Sequence, residues 1–286
     1  MTKIGLKNRV VIVTGGSQGL GRSMALALAE AGARLVLVSP DKDKLSQVAG
    51  EIVHLAGQGQ VLKVIADITN LDDCKKVVGQ SLDTFGAVEV LVNNARNITR
   101  GHPKVPFWES DPGFWQKSIH VNVNGTFLMS YTVTPYFIAQ GWGRIVNIST
   151  SLGTIQRKGA PYGVSKAAIE AETIIWAKDL KSTGVTVNSL LPGGRVYSYE
   201  GKISEDGREL LPVDIMNPLI IWLASNLSDG KTGGRYVGKN WDPTLPPNDA
   251  AEKAREAPVF LPPPPDEQKI EGIAKTLKPE REEKIP

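Results

Sequence analysis

Tyr162 and Lys166 stand four residues apart in "YGVSK". On a helix that spacing places the two side chains one above the other on the same face. A free phenol has a pKa of about 10, too high for ready proton transfer near neutrality. An ammonium alongside stabilises the phenolate and lowers that value, so the pair could exchange a proton with a substrate oxygen. Upstream, "NISTSLG" (147–153) carries three successive hydroxyls, Ser149, Thr150 and Ser151. Any of them could donate a hydrogen bond to the same oxygen. At a strand end Ser149 and Thr150 point to opposite faces, so only one can look into a site. Taken alone, a Tyr-x-x-x-Lys pair is a frequent feature of amphipathic helices and carries little weight.

A second candidate is the turn "TGGSQGLG" (14–21), with Gly15, Gly19 and Gly21 in a G-x-x-x-G-x-G pattern and Ser17, Gln18 and Leu20 between them. Glycine permits positive φ, and without a Cβ the backbone can approach a pyrophosphate at a helix N-terminus. The turn follows an apolar run, "RVVIVT" (9–14), and precedes a helical pattern (19–32). That position points to a nucleotide rather than to a mere tight turn.

The elements that must hold these residues alternate along most of the chain. Apolar runs at 33–39, 60–67, 88–95, 143–149, 185–193 and 233–238 are separated by helical stretches at 41–57, 70–86, 160–183 and 212–225. Continuous apolar strands between amphipathic helices imply a parallel sheet covered on both faces. The expected fold is α/β, a doubly wound, Rossmann-like sheet in a single domain spanning residues 1–240. Ten of the 19 prolines lie between Pro243 and Pro286, including "PPPP" at 262–265. Residues 241–286 are therefore expected to form a proline-rich extended tail, with "WDPTLPP" and "APVFLP" able to pack on the domain or a neighbouring subunit.

In order, "TGGSQGLG", "DIT" (67–69), "NNA" (93–95), "VNVNGTF" (121–127), "NIST" (147–150), "YGVSK" and "LPGG" (191–194) make the chain resemble the short-chain dehydrogenase/reductase family over residues 5 to 240. Each motif is weak alone; seven in sequence are specific. The resemblance implies an NAD(P)(H)-dependent alcohol dehydrogenase or carbonyl reductase, with Tyr162 as general acid/base. Lys166 would lower the Tyr162 pKa and bond the nicotinamide ribose, and Asn122 would anchor a relay water to Lys166. The substrate-binding hydroxyl would be Thr150, which fits the family's S-x-x-G through Gly153, in preference to Ser149. The cofactor would lie against the Gly15–Gly21 turn, Ser39, Asp67, Ile68, Asn94, Ala95, Pro192, Gly193 and Val196. Asp67 would hold adenine; without the surrounding motifs, a helix N-cap with Thr69 nearby would be the plainer reading of that residue. Dehydration or enoyl reduction on the same scaffold is the alternative chemistry. A catalytically weak dinucleotide-binding regulatory or scaffolding protein is the alternative of another class.

Two departures from the family pattern stand out. Arg96 follows "NNA" where glycine is usual, which either strains the turn or brings a cation to the cofactor or substrate entrance. The threonine expected after the proline-glycine motif is displaced, with Ser198 at a shifted position. The second strand ends Ser39-Pro40-Asp41, with no acid at the first position to pair a ribose 2′-hydroxyl. NADP is thus favoured over NAD, with Arg22, Lys42 or Lys44 as the cation for a 2′-phosphate. Substrate contacts are expected from the loop at about 195–212, including Tyr197 and Tyr199. Phe107, Trp108, Phe114 and Trp115 are more readily assigned to packing at a helix start or subunit boundary.

The composition, 41% hydrophobic and 22% charged with a net charge of +3, gives no basic face for nucleic acid. No apolar run approaches the ~18 residues of a membrane span. The lone Cys74 fits a reducing, cytoplasmic setting and reads as a structural helix position. His54, His102 and His120 lack metal-ligand spacing. The expected partners are a small alcohol or carbonyl substrate and further copies of the chain, as a homodimer or homotetramer.

Overall fold

The computed structural model describes residues 4–97, 105–156, 161–197 and 210–260. Eight strands form one sheet: β1 (Val10–Thr14), β2 (Arg34–Ser39), β3 (Val61–Ile65), β4 (Val90–Asn93), β5 (Gly143–Ile148), β6 (Val185–Leu191), β7 (Arg235–Val237) and β8 (Arg255–Glu256). Their spatial order is β3-β2-β1-β4-β5-β6-β7-β8, parallel except for β8. Nine α-helices are described: α1 (Gly19–Glu30), α2 (Lys42–Ala56), α3 (Leu71–Phe85), α4 (Pro112–Ile119), α5 (Gly125–Ala139), α6 (Leu152–Ile155), α7 (Tyr162–Asp179), α8 (Asn217–Leu223) and α9 (Pro247–Lys253).

The continuous apolar strands serve two cores. Val11, Val13, Leu35 and Leu37 face the layer of α1, α2 and α8, while Val10, Ile12, Val36 and Val38 face α3, α5 and α7. Period-two alternation with both faces apolar is what a sheet sandwiched between helices requires. The chain reverses its winding between β1 and β4, which opens a crevice at the carboxyl ends of the strands, where open α/β sheets bind ligands. Gly15, Ser39, Asn94, Ser149 and Pro192 all follow or close strands at that edge.

Residues 241–260 depart from the extended tail expected there. Asp242 accepts from the Thr244 amide and hydroxyl and from Lys253 Nζ at 2.8 Å, which folds the segment back on itself. Pro246 and Pro247 sit at the start of α9, where a missing N–H costs no hydrogen bond. The following "AAEKA" favours helix; Ala250, Ala251 and Ala254 are buried, and Trp222 Nε1 donates to Asn248 at 2.9 Å. β8 then adds to the edge of β7. Proline counts alone hid this, because the prolines cluster just outside the helix interior. Residues 261–286, with "PPPP", lie outside the described residues, as do His102, Ser198, Tyr199 and most of the expected substrate loop.

Among the described residues no helix is long and apolar enough to cross a membrane.

Candidate active site

The glycine turn is bolted to the end of β4. Thr14 Oγ1 donates to the Val92 carbonyl and accepts from the Asn94 and Ala95 amides at 3.0 and 3.1 Å. Asn94 Nδ2 donates to the carbonyls of Thr14 and Gly15. A Cβ on Gly15 would lie 2.8 Å from Ala95 Cα, and one on Gly21 would collide with the Gly15 carbonyl. Gly15 and Gly21 are therefore demanded by close packing of the turn. Gly19 has φ +54° with open space beside it, the position that leaves room for a ligand. At the N-cap of α1, Gln18 makes no side-chain cap and the first turn holds no acid, whereas α2, α3 and α4 are capped by Asp41, Asn70 and Asp111. Its first N–H groups are thus available to an anion, as a bound pyrophosphate requires. Ser17 and Ser39 share a hydrogen bond of 3.0 Å, tying the turn to β2.

Elsewhere along the crevice, Asp67 Oδ1 holds the amide and hydroxyl of Thr69 at 2.9 and 2.8 Å, so one carboxylate oxygen shapes its own turn. The Ile68 side chain packs under Gly125 in the core. Any contact of Ile68 with a ligand must come from its backbone. Gly193, at φ +91°, passes so close to Val237 and Lys239 that a Cβ would overlap both. Val196 makes an isolated bridge to Leu211.

At the centre, Tyr162 opens α7 and Lys166 lies one turn on, its ammonium 5.8 Å from the phenol ring centre. Lys166 Nζ donates to the Ile148 carbonyl at 2.5 Å, which pins α7 to the end of β5. Burial works to raise the Tyr162 pKa. The charges of Lys166 and then Arg96, with hydrogen bonds from Arg96 and Thr150, outweigh it and bring the phenol below its ordinary value. Burial likewise depresses Lys166.

The hydroxyls separate as strand alternation demands. The Ser149 amide still pairs with the Leu190 carbonyl, and its Oγ is buried with no hydrogen-bond partner among the described residues. Thr150 lies on the side of Tyr162, near enough for its hydroxyl to help lower the phenol's pKa. Ser151 Oγ pairs with Thr154 Oγ1 at the start of α6.

Asn122 sits in a π-helical turn, His120–Asn124, between α4 and α5. The wider turn aims its amide inward: Oδ1 accepts from the Asn97 amide at 2.6 Å, and Nδ2 donates to Ser165 Oγ at 3.0 Å. Ser165 in turn donates to the Tyr162 carbonyl. Asn122 thereby joins the segment after β4 to α7, while Asn124 pairs locally with His120.

Three side chains at the site carry more than their sequence positions announced. Arg96 takes no left-handed backbone conformation; its guanidinium reaches the Tyr162 hydroxyl at 3.5 Å. The turn thus avoids left-handed strain, and its cation lies beside Tyr162. Arg235 on β7 pairs with Glu170 on α7 at 3.3 Å, both almost wholly buried, and donates to the Thr150 carbonyl at 3.1 Å. Glu172, one residue past Ala171, has a buried Oε2 without a partner among the described residues, and burial pushes its carboxyl up to about 8 against the pull of Lys166. A raised folded pKa means stability is complete below the unfolded value and is lost as pH climbs through about 8. Glu172→Gln should therefore leave Tm nearly unchanged at pH 5 and raise it by about 2–4 °C at pH 9 in calorimetry. An equal Tm difference at both pH values would show that Glu172 ionises in a hydrated setting.

Cys74 is fully buried, its thiol pushed up to about 12 by burial and by Asp73 and Asp67. It is a packing residue, not a nucleophile.

Residues 9–206 match the family described as short chain dehydrogenase. The chain belongs to the short-chain dehydrogenase/reductase family. Among its relatives, a 3-oxoacyl-[acyl-carrier-protein] reductase of Thermotoga maritima is 32% identical over 239 residues, covering 80% of this chain and 95% of that one. The (2S)-[(R)-hydroxy(phenyl)methyl]succinyl-CoA dehydrogenase subunit BbsD of Thauera aromatica is 35% identical over 80% of this chain and 94% of its own. Among solved structures, a 3-ketoacyl-(acyl-carrier-protein) reductase of Brucella melitensis complexed with NADH superposes with a TM-score of 0.71 at 28% identity, covering 81% of this chain and 96% of that one. This short-chain dehydrogenase/reductase is accordingly an NAD(P)-dependent oxidoreductase.

Proposed function

We propose that the protein reduces a carbonyl, or oxidises the corresponding alcohol, with Tyr162 as the proton-transferring group. The observation that carries this reading is geometric: Lys166 lies one turn along α7 with its ammonium 5.8 Å from the Tyr162 ring centre, and Arg96 stands 3.5 Å from the Tyr162 hydroxyl, so two cations flank the phenol. When bound, the nicotinamide supplies or accepts the hydride. Tyr162 gives its proton to the substrate oxygen as the C=O π bond is replaced by C–H and O–H, and takes it back in the reverse direction. Thr150 donates a hydrogen bond that holds that oxygen in place. Lys166 stabilises the phenolate that proton donation leaves.

The uncapped start of α1 and the Gly15–Gly21 turn would hold the pyrophosphate, with Ser17, Gln18 and Leu20 around it. Asp67, Ile68, Asn94, Ala95, Pro192, Gly193 and Val196 would line the remainder. For the 2′ position, Arg22 pairs with Glu51 and Lys44 with Asp41, so Lys42 is the remaining one of the three cations offered for a 2′-phosphate. The names of the relatives make a 3-oxoacyl thioester the first substrate to try. Exposed Phe127, Tyr131, Ile138, Val164 and Ile175 on α5 and α7 support assembly into a homo-oligomer.

The test is oxidation of NADPH and NADH by the purified protein over a panel of ketones, 3-oxoacyl thioesters and oxo acids. Turnover is expected, faster with NADPH. Tight cofactor binding without turnover on any compound would instead support the regulatory alternative.

A further inference from the structure

Resting on the carbonyl chemistry proposed above, we infer that Arg96 forms an anion subsite beside the catalytic hydroxyl. The preferred substrate would then be an oxo acid whose carboxylate lies one or two carbons from the reacting carbonyl.

The argument is one of reach and charge. Arg96 NH1 lies 3.5 Å from the Tyr162 hydroxyl oxygen. A carbonyl oxygen in position to take the Tyr162 proton sits about 2.6–3.2 Å from that same atom. A group bonded to both the hydroxyl's partner carbon frame and the guanidinium must therefore be compact. A 2-oxo or 3-oxo carboxylate fits that reach, and its two oxygens match the planar fork of arginine.

The charges agree. Arg96 is exposed and forms no ion pair with a carboxylate among the described residues. Tyr162 is faced by Lys166, Arg96 and Thr150, and the acids beyond Lys166 are Glu170 and Glu172. Glu170 is already matched by Arg235, and Glu172 stays largely protonated near neutrality. Among the described residues, the reacting end of the crevice thus holds two cations, Lys166 and Arg96, without an available counter-charge.

A contact with the cofactor diphosphate is the rival assignment for Arg96. The uncapped N-terminus of α1 already offers donors for that group, and the Arg96 guanidinium contacts Tyr162 on α7.

The experiment compares kcat/KM for pyruvate and acetoacetate with their methyl esters and with acetoacetyl thioester, in the parent protein, Arg96→Gln and Arg96→Lys. The parent should favour an acid over its ester by about 10- to 100-fold, the range for a hydrogen bond to a charged partner. Arg96→Gln should erase that preference by lowering kcat/KM for the acids about tenfold or more beyond any change for the esters, with Tm close to the parent, and Arg96→Lys should keep part of it. Removing the charge also raises the Tyr162 pKa, so the acidic limb of the alcohol-oxidation pH profile, where the phenol must first lose its proton, should move to higher pH in Arg96→Gln. Esters or the thioester turned over as fast as the acids by the parent would overturn the inference alone. So would an Arg96→Gln effect confined to a raised cofactor KM, equal for every substrate. No turnover of any compound with either cofactor would overturn the carbonyl-reductase reading and this inference with it.

Discussion

Tyr162→Phe should lower kcat about a thousandfold, within the range that a positioned proton donor contributes, while Tm and cofactor affinity stay near those of the parent. Tyr162 is the first residue of α7 and its ring contacts can be kept by phenylalanine. Only the hydroxyl, with its links to Thr150 and Arg96, is removed. Lys166→Met should be more complex, because the lysine also anchors α7 through the Ile148 carbonyl. Stopped-flow measurement of hydride transfer together with cofactor titration checks the tyrosine prediction. Unchanged cofactor oxidation in Tyr162→Phe would remove this residue from the chemistry.

The second large effect is expected far from the substrate. Arg235→Met should destabilise the protein by about 3–5 kcal/mol, since it leaves the Glu170 carboxylate buried without its cation. For a domain of this size that is a fall in Tm of roughly 10 °C. The pair is 3.3 Å apart and both side chains are under 5% exposed. Glu170 also accepts from Ser189 on β6 at 3.1 Å. The Arg235→Met/Glu170→Met double variant should recover much of the lost stability, because apolar side chains can fill a buried ion-pair site at little cost. It should not recover full activity, because Arg235 also holds the Thr150 carbonyl at 3.1 Å and so orients the hydroxyl beside Tyr162. A tenfold lower kcat with restored Tm is the expected signature. If the double variant regained both, the Arg235 contact with Thr150 would have no positioning role. Tm unchanged in the single variant would mean that Glu170 sheds its charge without penalty.

How far these features could be read from the chain depends on how local they are. The glycine turn, the Tyr162–Lys166 spacing and the apolar strands each depend on residues a few positions apart, and their geometry follows from helix and strand periods. The choice between Ser149 and Thr150 was half legible. Alternation says that they face opposite ways; which face holds Tyr162 depends on where α7 lands. Thr150's nearness to Tyr162 is the ground on which the threonine is proposed. α9 was concealed by the prolines ahead of it, because their effect depends on the positions they take in a helix rather than on their number.

By itself, the amino-acid sequence determined the doubly wound parallel sheet, the family, the crevice-side glycine turn and the one-turn spacing of Tyr162 and Lys166. These rest on short-range steric rules repeated along the chain. Only the tertiary structure decided that Arg96 reaches Tyr162 across 66 positions, that Arg235 meets Glu170 across 65, and that residues 247–256 close the far edge of the sheet. Long, flexible side chains and edge pairings take their partners from whatever the packed helices bring near, and no local period encodes that.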